Sequence, residues 1–137
     1  MLTQSQIFKV RESWIAVNAN SELFGLAFYN TLFEMAPELK QMFKSDTAHQ
    51  ATKFTSMLSY LVLKLNRVNE MRAEMTRLAA IHNSHGVQPR HYLVVGEALL
   101  ATLKKRLGAH FDAETGDAWQ QAFAVISKLM IEAQQEA

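Results

Sequence analysis

An all-α fold is predicted by three features of the sequence. Apolar residues recur at helical spacing from Ile7 to Met130. Five Gly and two Pro are few for a turn-dense β fold. No apolar–polar alternation runs long enough to make a strand. A chain of 137 residues is expected to form one domain over 1–137, with about six to seven helices joined by ordinary loops.

The first stripe is Ile7, Val10, Trp14 and Val17, and Thr3 with Gln6 has the spacing of a capping box at its start. A second helix is predicted from about Asn20-Ser21 to Phe33. Its stretch LFGLAFYNTLF is apolar almost all round, as in a buried helix. Gly25 in its middle costs about 1 kcal/mol relative to Ala, which points to a close backbone approach. Pro37 opens a short helical turn ending near Phe43. Beyond the polar stretch KSDTAHQ, a long helix carries Phe54, Met57, Leu58, Leu61 and Leu65. A break between Asn66 and Asn69 leads into Met71, Met75, Leu78 and His82. Gly86 is placed to end that helix as its left-handed cap. Pro89 suits the first turn of the next helix, which carries Tyr92, Val95, Leu99, Leu103 and Leu107. The last helix, from about Asp112, carries Trp119, Phe123, Ile126 and Met130.

Composition narrows the functional classes. The formal net charge is +1, so no global field recruits nucleic acid or an anionic membrane. Lys104-Lys105-Arg106 sits just before Gly108 and reads as a helix C-terminus complementing its dipole. The absence of Cys excludes disulfides, thiolate metal sites and Cys nucleophiles. The N-terminal MLTQSQIFKVRESW lacks a signal-peptide apolar run, and no eighteen apolar residues follow one another, so a cytoplasmic location is expected.

Polar groups that interrupt the apolar stripes carry the chemistry. At about 100° per residue, His82 shares a face with Leu78 and Met75. Its ring nitrogens need two partners: one can be a backbone carbonyl a turn back, that of Leu78, and the other a core polar side chain or a metal. Gln50 lies one turn before Phe54, and Tyr29 lies inside the buried second helix. A buried amide or phenol left unpaired costs roughly 1–3 kcal/mol. Each could bond to backbone. Together with His82 they also suit a large apolar cofactor with a small polar ligand beside it. His85 is placed at the helix end and His91 in the first turn of the next helix. HNSH lacks the spacing and carboxylates of a bare zinc site.

Four segments resemble the globin family, particularly bacterial single-domain globins, the haem module of flavohaemoglobins and neuroglobin-like proteins. They are FYNTLFEMAPELKQMF, HQATKF, HNSHGVQPRHYLVVGEALL and AWQQAFAVI, in order across nearly the whole chain. The resemblance implies a globin fold and haem b, with His82 as proximal ligand of the iron. It implies Phe43 stacked on the porphyrin, and Tyr29 and Gln50 as the distal pair that hydrogen-bonds bound O2. Phe54 takes the apolar distal position, and Tyr92 the proximal tyrosine below the haem. Met42, Ile81, Val87, Val95, Phe123 and Ile126 match pocket walls, and Gly25 and Ala51 the small residues at a helix crossing. Lys53, His85 and Arg90 are the basic candidates for the haem propionates.

Two positions depart from the family. Flavohaemoglobin-type modules pair the proximal histidine with a Tyr and a last-helix Glu, and Gln134 holds that place here; Glu132 is about 160° off the face. Phe54 is bulkier than the usual aliphatic residue. The resemblance therefore implies an oxygen-binding globin, a carrier of O2 that also takes CO and NO, with high O2 affinity from the distal pair. Nitric oxide dioxygenase activity is the alternative, using an external reductase because the 137 residues hold no flavin or nicotinamide domain. A haem-based gas sensor is a further alternative. No nucleic-acid or membrane partner is expected, and the chain is expected to be a monomer or weak homodimer. His49, about 100° from the Gln50 face, is not expected to ligate the iron.

Overall fold

The computed structural model describes residues 2–43 and 46–136. Six α-helices occur among them: α1 (Gln4–Asn18), α2 (Ser21–Met35), α3 (Thr47–Leu63), α4 (Arg72–Ser84), α5 (Pro89–Leu107) and α6 (Ala113–Glu136). Short 3₁₀ segments at Pro37–Met42, Val68–Met71 and Gly108–His110 make three of the connections. No strand occurs among the described residues, and no helix is long and apolar enough to cross a membrane. Within KSDTAHQ, Lys44 and Ser45 lie outside the described residues.

Local chemistry sets the helix ends. Thr3 Oγ1 accepts from the Gln6 amide at 3.1 Å while Gln6 Oε1 accepts from the Thr3 amide at 2.9 Å, closing the capping box. Asp46 caps α3 through the His49 amide at 2.9 Å. At the other end of α3, Arg11 of α1 donates to the Leu63 carbonyl (2.8 Å), the Val62 carbonyl (3.3 Å) and Asn66 Oδ1 (2.8 Å). The Leu63 carbonyl, at the last residue of the helix, has no amide further along α3 to accept from, and a distant guanidinium supplies a donor. Gly86 stops α4 with φ +74°, a conformation that other L-residues rarely adopt.

The main core is built from Phe24, Phe28 and Leu32 of α2, Val10 of α1, and Leu99 and Leu103 of α5, all at most 2% exposed. Trp14 stands edge-on between Phe24 and Trp119, with ring centroids 5.4 and 6.1 Å away. Both indole N–H groups are satisfied, Trp14 by Ser59 Oγ (3.0 Å) and Trp119 by Ser13 Oγ (2.7 Å). A smaller cluster lies where α4 packs on α6, made of Leu61, Met71, Met75, Ala79 and Met130.

The break before α4 reaches further than the apolar pattern indicates. Helix α3 stops at Leu63 and α4 begins at Arg72, so Leu65 and Met71 belong to non-α connections. Both are nevertheless buried. The stripe records which side chains enter the core, and a turn can bury them as well as a helix can. Helix α2 runs two residues past Phe33, to Met35.

Candidate functional site

Helices α2 and α3 pack against each other at Gly25 and Ala51. A Cβ on Gly25 would stand 2.7 Å from the Ala51 Cβ and 2.9 Å from its carbonyl oxygen. Only glycine permits that approach, and it brings Tyr29, one turn along α2, to the same pocket as Gln50 of α3. That pocket is also lined by Phe33, Lys40, Phe43, Asp46 and Thr47. Tyr29 is 4% exposed and held by edge or tilted contacts with Phe28, Phe33, Phe43 and Phe54, at centroid distances of 5.0–5.8 Å. Phe54 itself lies flat on Phe28, with centroids 4.0 Å apart and planes 5° apart. Burial pushes the Tyr29 phenol well above its ordinary value, so it remains a neutral O–H donor. Among the described residues neither the Tyr29 hydroxyl nor the Gln50 side-chain amide has a hydrogen-bond partner.

His82 lies in the last turn of α4, half-buried, with Nδ1 3.0 Å from the Tyr92 hydroxyl of α5. The Leu78 carbonyl, one candidate for this nitrogen, is not its partner. The ring instead reaches across the Gly86 turn to the Tyr92 hydroxyl, a partner supplied by α5. Tyr92 donates onward to Gln134 Oε1 at 2.5 Å. Gln134 Nε2 donates to Asn83 Oδ1 (2.9 Å) and the Val87 carbonyl (3.0 Å), and Asn83 Nδ2 donates back to the Gln134 carbonyl (3.0 Å). Burial first, and then the neighbouring His85, hold the His82 imidazole below its usual pKa, favouring the neutral ring. Its Nε2 has no hydrogen-bond partner among the described residues.

The other candidate residues fall in three groups. Met42, Phe43, Phe54, Val95, Phe123 and Ile126 are partly buried against the main core. Phe123 is pressed against Gly96, whose added Cβ would meet the ring at 2.7 Å. Phe123 and Ile126 also line an apolar cavity with Val10, Leu58 and Trp119. Ile81 is 40% exposed, and Val87 is half-buried with its carbonyl engaged by Gln134. Lys53, His85 and Arg90 are exposed, as is His49, which does not line the pocket of Tyr29 and Gln50. His91 is spent on the α5 cap, its Nδ1 accepting from the Gln88 amide at 2.8 Å. Sequence reasoning missed Asn83, Phe28 and the pocket-mouth residues Lys40, Asp46 and Thr47. Phe28 carried a signal in its central place on an all-apolar helix. Asn83 meets a partner 51 positions away and carried none.

These residues fit a haem. A neutral imidazole offers a free Nε2, two hydrogen-bond donors, buried Tyr29 and half-buried Gln50, stand unpartnered in a separate pocket, and aromatic side chains line that pocket. No alternative cluster of three metal-binding side chains exists among the described residues. Fold and site together describe an all-helical protein with a half-buried histidine on α4 and an aromatic-lined pocket between α2 and α3. Residues 26–130 match the globin family. Leghemoglobin 29 of Vicia faba is 32% identical over 127 residues, covering 83% of this chain and 85% of that protein. The Flavohemoprotein of Vibrio cholerae is 25% identical over 135 residues, covering 96% of this chain, which spans only 34% of that protein. The structure of a bacterial globin from Campylobacter jejuni superposes with a TM-score of 0.88 at 26% identity, covering 98% of this chain and 97% of its own. The chain belongs to the globin family, whose members bind haem and, on it, O2 and related gases.

Proposed function

We propose that this globin carries haem b on His82 and holds O2 reversibly, with CO and NO entering the same pocket. When bound, the haem iron supplies the coordination position that a diatomic ligand takes. His82 binds the iron through the Nε2 left free by the Tyr92 contact. Tyr29 and Gln50 donate hydrogen bonds to a ligand that carries partial negative charge, which favours O2 over CO. Two neutral hydrogen bonds of about 1 kcal/mol each correspond to roughly tenfold to thirtyfold tighter O2 retention. Phe28, Phe33, Phe43 and Phe54 keep the surroundings apolar and exclude water. Lys53, His85 and Arg90 are the exposed basic side chains available to the propionates.

The observation that carries this reading is the pair of unpartnered donors, Tyr29 and Gln50, in one pocket. An absorption spectrum of the purified protein in ferric, ferrous and O2-mixed states tests it. A Soret band that shifts reversibly with O2 supports the reading, and no Soret band after expression with haem supplied overturns it. The same distal pair, with the similarity to a flavohemoprotein, favours NO dioxygenation with an external reductase as a second reading. NO consumption under air with an added reductase separates that enzyme from a carrier.

A further inference from the structure

We infer that Gln134 is a positioning residue that locks His82 as a hydrogen-bond donor, through Tyr92, without placing any charge on the proximal side. The inference rests on the haem-binding reading above and concerns how this chain's own side chains set the ligand's electronics.

Backbone carbonyls, which only accept, fix every orientation in the network. The Gln134 carbonyl requires that Asn83 present its Nδ2, so Asn83 Oδ1 turns toward Gln134 Nε2. The Val87 carbonyl takes the other Nε2 proton. Gln134 Oε1 is thereby left facing the Tyr92 hydroxyl and can only accept from it. Tyr92 has one proton and spends it on Gln134, so its oxygen accepts from His82 Nδ1–H. The proton on His82 is thus fixed at Nδ1, and the lone pair at Nε2.

The site is built around an amide. A carboxylate at position 134 would set acceptor against acceptor at Val87 O and Asn83 Oδ1. Turning Asn83 over would relieve one clash and lose its bond to the Gln134 carbonyl. No charged side chain is hydrogen-bonded to any member of the network among the described residues. A neutral acceptor polarises the Nδ1–H bond less than a carboxylate does. His82 is therefore the weaker electron donor, and the ferrous state needed for reversible O2 binding is favoured over the ferric. Because the network joins α4, the Val87 turn, α5 and α6, it also fixes the rotation of the imidazole ring.

Two measurements test this, one on the haem-loaded protein and one on the haem-free chain. In the loaded ferrous protein, Gln134→Glu is expected to raise the iron–histidine stretching frequency and lower the midpoint potential. Gln134→Leu and Tyr92→Phe are expected to shift both the opposite way. Asn83→Leu frees Gln134 to rotate and is expected to broaden or split the iron–histidine band. In the haem-free chain, ¹⁵N spectra are expected to place the His82 proton on Nδ1, with loss of that preference in Gln134→Leu and Tyr92→Phe. Unchanged frequency and potential across the variants, or a wild-type proton on Nε2 in the haem-free chain, overturns the inference. A wild-type chain with no Soret band overturns the haem reading instead, and the ¹⁵N measurement still decides the proton's place.

Discussion

Replacing Gly25 by Ala tests how tightly the crossing of α2 and α3 sets the distal pocket. Alanine is the better helix former by about 1 kcal/mol, so propensity alone predicts a more stable protein. The new methyl group would stand 2.7 Å from the Ala51 Cβ and 2.9 Å from the Ala51 carbonyl oxygen. Overpacking of this kind costs about 1–3 kcal/mol, and a backbone oxygen cannot turn aside, which puts the cost in the upper half of that range. The net loss is about 1–2 kcal/mol, a fall in Tm of roughly 4–7 °C for a chain of this size. The helices must part at the point that brings Tyr29 and Gln50 to one pocket. Loss of one donor's reach, at about 1 kcal/mol, speeds O2 release about fivefold. Thermal melting and stopped-flow O2 displacement measure the two effects. Gly108→Ala is the control: its φ of +57° strains a side chain, but nothing lies within 4 Å, so Tm falls and O2 release does not change. A Gly25→Ala protein with equal or higher Tm would refute the packing argument, and a lowered Tm with unchanged O2 release would refute its link to the pocket.

Tyr29→Phe is expected to speed O2 release about fivefold while leaving Tm unchanged or raised, because the four aromatic contacts persist and the lost hydroxyl has no partner among the described residues; stopped-flow and melting curves read both. Alkali should weaken the haem-free fold. Burial pushes the Tyr92 phenol up to about 12 from an ordinary 10, so its contribution is complete below pH 10 and lost as pH rises from 10 through 12. Tyr29, raised by burial as well, extends that loss upward, so Tyr92→Phe should flatten the decline in urea midpoints from pH 10 to 12 without abolishing it. The ferrous, ligand-free protein should show one broad visible band, since exposed His49 does not line the distal pocket; split sharp bands would mean a protein side chain holds the iron's sixth position.

What was legible in the sequence is what helical periodicity and local turn chemistry determine. The capping box at Thr3, the Pro37 turn, the Gly86 stop and the Pro89 start each depend on residues within a few positions of one another. Gly25 was legible for a different reason: a glycine inside a long apolar helix is costly unless something comes close. Long-range hydrogen bonds were hidden. Nothing near Arg11 indicates that it caps α3 some fifty residues away, and nothing near Asn83 indicates Gln134. The partner of His82 was hidden for the same reason, since a local rule offers Leu78 whereas the tertiary fold supplies Tyr92. Leu65 and Met71 show the complementary failure, in which a stripe passes unbroken through a turn.

The small cluster beneath α4 has a consequence for how the protein opens. Three of its five buried members are Met71, Met75 and Met130, flexible thioether side chains that fill space without locking it. The rest of the fold is pinned by interlocked tryptophans and phenylalanines. Helix α4, with His82 near its end, is therefore the segment expected to detach while α1, α2 and α5 stay folded. Amide hydrogens of α4 should exchange with solvent ahead of those in the main core. The same three sulfurs, each at most 4% exposed, are shielded from peroxide until that detachment occurs. Their conversion to sulfoxide would then time the release of the proximal helix, and with it the loss of haem.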